Sequence, residues 1–233
     1  MSNIAIIAAA GNGERLDSCD SKMLVNIAGK PLLVHTLNVF EKSEKIDEIV
    51  LVVHKKDLKK IEKEVIEKNK YQKLSKIVLG GFTRQESVYK GLQAIKENNG
   101  RVCIHDGARP LIEEWMIERT IEEVDTHEGA IMAVPVIETI KKVIIGEMLV
   151  KETVNREEYW IVQTPQAFNI KYAKNIYKRA IEEELSVTDD ASIAEHYGGK
   201  VKIIPGSREN IKITTSIDIL LAEILIKKRL NNI

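Results

Sequence analysis

The residues best suited to chemistry open with the run Ala8-Ala9-Ala10-Gly11-Asn12-Gly13-Glu14-Arg15, followed by Lys22. Small residues let a backbone come close to a phosphate chain, and the N–H groups of such a loop can face it. Two cations beside that chain would neutralise charge on a triphosphate and on a departing pyrophosphate. No Gly-Lys-Ser/Thr follows, and Leu16 stands where a dinucleotide fingerprint has its third glycine, so neither familiar phosphate motif applies. The plain alternative is a strand-to-helix turn with solvated Arg15 and Lys22. His105 beside Asp106 invites a catalytic role, but a histidine closing a strand is more often packed and hydrogen-bonded, which is the expectation. Asp189-Asp190 could be a metal pair; Thr188-Asp189 before a helical run reads better as an N-cap with first-turn acids. Lys59-Lys60 and Lys227-Lys228-Arg229 read as solvated helix charges, and Trp115 and Trp160 as core or interface anchors.

Elements that could position these groups follow from hydrophobic rhythm. Residues 4–10 are apolar throughout and end at Gly11, which predicts a central strand buried on both faces. Further strands are expected over 48–53, 77–79, 101–105 and 130–135. Helices are expected over 31–41, with Pro31 in the first turn, and over 56–70, 84–97 and 113–126. Such alternation means parallel strands between helical layers, with ligands at the carboxyl ends of the strands. Gly11–Gly13, Gly80-Gly81 and 106–110 all fall there, so the site should be built from these three loops. Segment 136–154 breaks the rhythm: two β-rich runs around Gly146-Glu147 predict a hairpin, either an edge addition or an arm to a partner. Helices over 171–184, 189–197 and 216–230, a strand over 201–204 and a strand-like stretch at 210–214 complete the chain. The expected fold is α/β, a three-layer sandwich with a mostly parallel central sheet and a projecting β-hairpin arm. It is read as a single domain over 1–233.

Composition narrows the class. The 233 residues are 44% hydrophobic and 30% charged, enough to bury a sizeable core, which excludes a disordered regulator. Thirty-five Lys+Arg balance thirty-five Asp+Glu, so the basic excess of a nucleic-acid or membrane-surface binder is missing. Cys19 and Cys103 have no metal-ligand spacing; a reducing cytoplasm fits best, with Cys103 a small core residue. Neither a secretory signal nor a membrane-length apolar run is expected.

Five further segments carry a resemblance. With the first loop stand Ile104-His105-Asp106-Gly107-Ala108-Arg109-Pro110, Gly80-Gly81 with Arg84-Gln85 and Ser87, Gln163-Thr164-Pro165-Gln166, and Thr188-Asp189 with Asn210-Ile211-Lys212-Ile213-Thr214. With these landmarks running in sequence order over almost the whole length, the chain resembles the 2-C-methyl-D-erythritol 4-phosphate cytidylyltransferase family. The resemblance implies transfer of CMP from CTP to the sugar-alcohol phosphate, with release of pyrophosphate, in the non-mevalonate isoprenoid pathway.

It also implies roles by position. Arg15 and Lys22 match residues that hold the triphosphate and stabilise the transition state. Ala8, Ala9, Ala10, Gly11, Gly13, Gly80, Gly81, Arg84, Ser87, Asp106 and Ala108 match the nucleotide site, with Gly80, Gly81 and Ser87 reading cytosine. Asp106 and Arg109 stand between nucleotide and acceptor; Thr139, Arg156 and Lys212 position the acceptor phosphate, with Thr188 a further contact. The 136–154 hairpin looks like the family's dimerisation arm, bringing Thr139 and Arg156 to the neighbouring subunit's site. Magnesium is expected on the nucleotide phosphates, with Asp106 the nearest protein carboxylate. A phosphate monoester is already a dianion near pH 7 and needs no general base, which suits a site rich in Arg and Lys.

Ser21 replaces the proline that usually precedes the loop lysine, and Phe82 stands where an acidic residue often follows the glycine pair. Ribitol-5-phosphate cytidylyltransferase is the nearest alternative; Ala108 and Tyr159-Trp160 look more like the methylerythritol enzyme. A nucleotide sensor without catalysis would keep the glycines and lose the cations, yet Arg15, Lys22 and Lys212 are all present. A nucleotide-sugar glycosyltransferase would normally carry Asp-x-Asp, which does not occur.

Overall fold

Small and β-branched residues make β1 (Ser2–Ala9) a strand with apolar side chains on both faces, a pattern satisfied only between neighbours and under helices. The structure, a computed structural model, describes residues 1–11 and 21–230. The short β2 (Asn26–Ile27) and β3 (Lys30–Pro31) pair with each other ahead of α1 (Leu32–Lys42). Next come β4 (Glu48–Val53) and a helical segment of α2 (Leu58–Ile61), a π-helical turn (Glu62–Ile66) and α3 (Glu67–Asn69). Then follow β5 (Leu74–Leu79), α4 (Arg84–Ala94), β6 (Gly100–Asp106), α5 (Glu114–Glu123) and β7 (Gly129–Pro135). The remainder is β8 (Lys141–Ile144), β9 (Leu149–Thr153), β10 (Trp160–Asn169), α6 (Ile170–Glu182), α7 (Asp190–His196), β11 (Val201–Pro205) and α8 (Ser216–Leu230).

Seven strands form one sheet in the order β11-β7-β10-β6-β1-β4-β5. All neighbours pair in parallel except β10, which runs antiparallel to both β6 and β7. Alternation along β1 divides the core. Ala5, Ile7 and Ala9 pack with α1, α5 and α8, while Ile4 and Ile6 pack with α4, α6 and α7. Three layers and a mostly parallel sheet agree with the expectation.

Two stretches differ from what the sequence predicts. Strand β10 is not announced there, because Gln163, Thr164, Pro165 and Gln166 interrupt any strand-like rhythm, and the ladder to β7 is irregular over that stretch. Residues 210–214 form no strand. Their groups are engaged elsewhere: Ile213 N donates to Ala108 O at 2.8 Å, and Asn210 Nδ2 donates to Thr164 O at 2.9 Å.

The expected hairpin is present as β8 and β9, paired antiparallel around a turn where Gly146 has φ +95° and Met148 φ +54°. All residues of both strands are exposed, and so are Ile145 and Met148 at the tip. Among the described residues, no helix is long and apolar enough to cross a membrane.

Candidate active site

The carboxyl ends of β1, β5 and β6 open onto a cavity of about 280 Å³. Ala8, Ala10, Gly11, Lys22, Met23, Gly81, Phe82, Thr83, Arg84, Ser87, Asp106, Ala108, Lys212 and Thr214 line it. The glycine pair is required by closeness: a Cβ on Gly80 would lie 2.4 Å from Ala10 Cβ, and one on Gly81 2.4 Å from Glu86 Cβ. Helix α4 starts at this loop, with Thr83 as N-cap accepting from Glu86 N at 3.0 Å. Ser87 Oγ accepts from Gly81 N at 3.0 Å and donates to Thr83 O at 2.8 Å, so this side chain shapes the loop. Phe82 is 100% exposed at the cavity mouth, while its backbone N–H is held by Glu86 Oε2 at 2.8 Å.

A second cavity, of about 420 Å³, adjoins the first. Arg84, Asp106 and Lys212 line both and form the wall they share. Arg109, Gln163, Thr164, Gln166, Thr188, Asp189 and Ser192 are among the second cavity's other lining residues. Asp106 is held from both sides: Oδ1 accepts from Arg84 Nε at 2.9 Å, and Oδ2 lies 2.7 Å from Lys212 Nζ. Burial alone would raise its pKa, but Arg84, Lys212 and Arg109 hold it well below the usual carboxylate range. Arg109 donates through Nη1 to Asn210 O at 2.8 Å, and its buried Nε faces Asp106 Oδ2 at 3.9 Å without a hydrogen bond. Burial lowers the Arg109 pKa, against the pull of Asp106.

His105 is packed and hydrogen-bonded, as expected. Its Nε2 donates to Arg109 O at 3.2 Å, which leaves Nδ1 to accept from Thr164 Oγ1 at 3.0 Å. The same Thr164 oxygen accepts from Asp106 N at 3.1 Å. Burial pushes the His105 pKa down to about 3, so the ring is neutral at pH 7.

The structure brings Ala8, Ala10, Gly11, Lys22, Gly81, Arg84, Ser87, Asp106, Ala108 and Lys212 to the first cavity, and Arg109 and Thr188 to the second. Two residues of the expected nucleotide site line neither. Ala9 points into the core by strand alternation, and Gly80 lies beneath, against Ala10 and Ser87. Gly13 and Arg15 lie outside the described residues. Thr139 and Arg156 are exposed at the base of the arm, where Arg156 Nη1 donates to Ile137 O at 2.5 Å, and they too line neither cavity.

Of the acidic pair, Asp189 is the N-cap of α7, accepting from Ser192 N at 3.1 Å, whereas Asp190 is fully buried against Arg84. Sequence reasoning missed that distinction, and also Met23 and the part played by Thr164. Arg229 is not simply solvated, since Nη2 lies 3.1 Å from Glu113 and 2.9 Å from Glu209. Trp115 and Trp160 stand outside the buried core, at its margin. Among the described residues, no group of three or more His, Cys, Asp or Glu side chains could hold a metal ion. Both oxygens of Asp106 are already paired with cations, so the donor set fits an ion carried mainly by another group and touching Asp106 at most through water.

A mostly parallel sheet with a small-residue cleft and a cationic wall at its carboxyl ends is the nucleotidyltransferase form of the α/β fold, and this chain is an enzyme of that class. The family model for 2-C-methyl-D-erythritol 4-phosphate cytidylyltransferase matches residues 3–228, and the chain belongs to that family. A relative of that name from Halalkalibacterium halodurans is 41% identical over 224 residues, covering 96% of each chain. Another, from Alkaliphilus oremlandii, is 42% identical over 224 residues, covering 96% of this chain and 94% of its own. The crystal structure of 4-diphosphocytidyl-2C-methyl-D-erythritol synthase from Anaerococcus prevotii superposes with a TM-score of 0.85 at 34% identity, over 97% of this chain and 98% of that one. The Thermus thermophilus 2-C-methyl-D-erythritol 4-phosphate cytidylyltransferase gives 0.78 at 27% identity, over 97% and 100%.

Proposed function

We propose that this chain transfers CMP from CTP to 2-C-methyl-D-erythritol 4-phosphate. The observation that carries the reading is the pair of cavities meeting at Arg84, Asp106 and Lys212. One suits the nucleotide, and the other suits a second anionic substrate beside it. An oxygen of the acceptor phosphate attacks the α-phosphorus of CTP, the bond to the β-phosphate oxygen breaks, and pyrophosphate departs. No general base is needed, because the acceptor is a dianion at about pH 7. His105, neutral and engaged at both nitrogens, takes no part in the transfer.

The chain's own residues supply alignment and charge. Lys22 and Arg15 neutralise the triphosphate, Lys212 and Arg109 draw the acceptor phosphate to the shared wall, and Asp106 holds Arg84 and Lys212 in place there. Magnesium, when bound on the nucleotide phosphates, supplies further charge neutralisation there, and Asp106 is the carboxylate that would face its water shell. The 136–154 arm serves a homodimer, in which Thr139 and Arg156 complete the partner's acceptor site; the exposed apolar tip of the arm supports this. On its cysteine content we place the enzyme in the cytoplasm. The test is direct: incubate pure protein with CTP and magnesium, offer methylerythritol phosphate or ribitol 5-phosphate, and follow pyrophosphate. Release with the methylerythritol acceptor alone is expected. Release with ribitol phosphate alone would reassign the substrate.

A further inference from the structure

Asp190 lines neither cavity, yet it is tied to the wall between them. At the start of α7 it is fully buried, and its carboxylate takes a two-pronged grip on Arg84: Nη1 to Oδ1 at 2.6 Å and Nη2 to Oδ2 at 2.7 Å. Tyr177 on α6, also fully buried, donates its hydroxyl to Oδ1 as well. The remaining edge of the same guanidinium carries Nε, which donates to Asp106 Oδ1 at 2.9 Å. A guanidinium is a rigid planar fork, so fixing its two Nη groups fixes the direction of Nε.

The chain of contacts therefore runs from Tyr177 through Asp190 and Arg84 to Asp106, whose other oxygen is held by Lys212 at 2.7 Å. Stability alone gives a weak account of it. Buried ion pairs can often be replaced by apolar groups of similar volume at no loss. What this one does besides is geometric. Arg84 lines the first cavity, and without Asp190 its guanidinium would be free to turn, so that Nε would no longer hold Asp106.

We propose that Asp190 is a positioning residue for the transfer reaction: by clamping Arg84 it keeps Asp106 and Lys212 set between the nucleotide and the acceptor. The proposal rests on the reading of the two cavities given above. Its effect belongs to the reacting geometry, not to nucleotide affinity, so it should appear in kcat while KM for CTP stays near its wild-type value.

The test uses the full-length protein, with kcat and both KM values from pyrophosphate release and folding checked by circular dichroism and melting temperature. Asp190→Asn keeps size and removes charge; kcat is expected to fall roughly 10- to 100-fold, the scale of a small misalignment, with KM for CTP within about threefold. Arg84→Lys keeps the charge but cannot bridge two carboxylates. The double variant should be about as impaired in kcat as the worse single variant, because the two residues act as one unit. A folded Asp190→Asn enzyme with kcat within about twofold of wild type, melting lower or not, overturns the proposal. So do independent, multiplying losses in the double variant. If Asp190→Asn does not fold, Tyr177→Phe decides: it removes only the hydroxyl on Oδ1, and an unchanged kcat refutes the proposal where a loss of roughly threefold supports it. A wild-type protein that transfers no CMP would instead sink the functional reading itself.

Discussion

His105 offers a prediction whose size can be worked from its surroundings. The ring is 0% exposed, and its pKa is pushed down to about 3 from an ordinary 6.5. Above pH 6.5 it is neutral in both the folded and the unfolded chain, and it adds no pH dependence. As pH falls below 6.5 the unfolded chain takes up a proton that the folded one refuses, so stability must fall with falling pH. The limiting slope is about 1.4 kcal/mol per pH unit, and between pH 6.5 and 4.5 the loss from this one ring comes to about 2 kcal/mol. Asp106 remains ionised throughout that window, because its cations hold its carboxyl well below the usual range. Urea denaturation of wild type and His105→Gln, repeated across the window, isolates the contribution of the ring, since glutamine does not titrate. The wild-type curve should drop more steeply by about 2 kcal/mol over the interval, while the pH profiles of kcat run parallel. Parallel stability curves would refute the argument, and a limb of the kcat profile lost with His105 would make the ring catalytic after all.

Lys22→Ala should lower turnover by roughly 100-fold, the scale for a lost charge-stabilising donor, with circular dichroism unchanged; near-normal turnover removes Lys22 from the mechanism. CTP should be used well ahead of UTP and far ahead of ATP, and equal rates with CTP and UTP would mean that Phe82 has altered the base site. Mixing Arg156→Ala with Lys22→Ala chains should restore up to roughly a quarter of wild-type activity, since half the dimers then carry one intact site; verified heterodimers without recovery would put Arg156 in its own subunit's site. Adding EDTA should abolish turnover and excess magnesium should restore it; turnover indifferent to chelation would exclude a role for the ion.

The parts most legible in the sequence are those where burial repeats along the chain. From Ile4 in β1 and Ile49 in β4 the residues are apolar without a break, short runs of β-branched and small side chains, and a central parallel strand buried on both faces demands that pattern. The loops at their ends, with Gly80-Gly81 and Asp106, could then be placed at one edge of the sheet. β10 escaped because its middle residues serve the site: Gln163, Thr164 and Gln166 are buried polar groups bonded to Ser207, His105 and Asp189. A strand whose side chains answer to a cleft loses the periodicity that announces it. Asp189 and Asp190 stand as one acidic pair in the sequence. Only their placement separates a cap on α7 from a clamp on Arg84, because adjacent residues at a helix start point in different directions.

The position of β10 has a consequence for synthesis. A ribosome completes β6 at Asp106, but the strand that covers its free edge begins only at Trp160. During that interval β1, β4, β5 and β6 can assemble, and the backbone edge of β6 stands open. An unpaired edge is a template for another chain. A nascent chain stalled before residue 160, or a fragment ending there, should therefore self-associate instead of remaining a soluble half-enzyme. The strand also stands between β6 and β7, both made before it, so a cut just ahead of it parts it from both partners, whereas a cut just after it leaves both ladders in one piece.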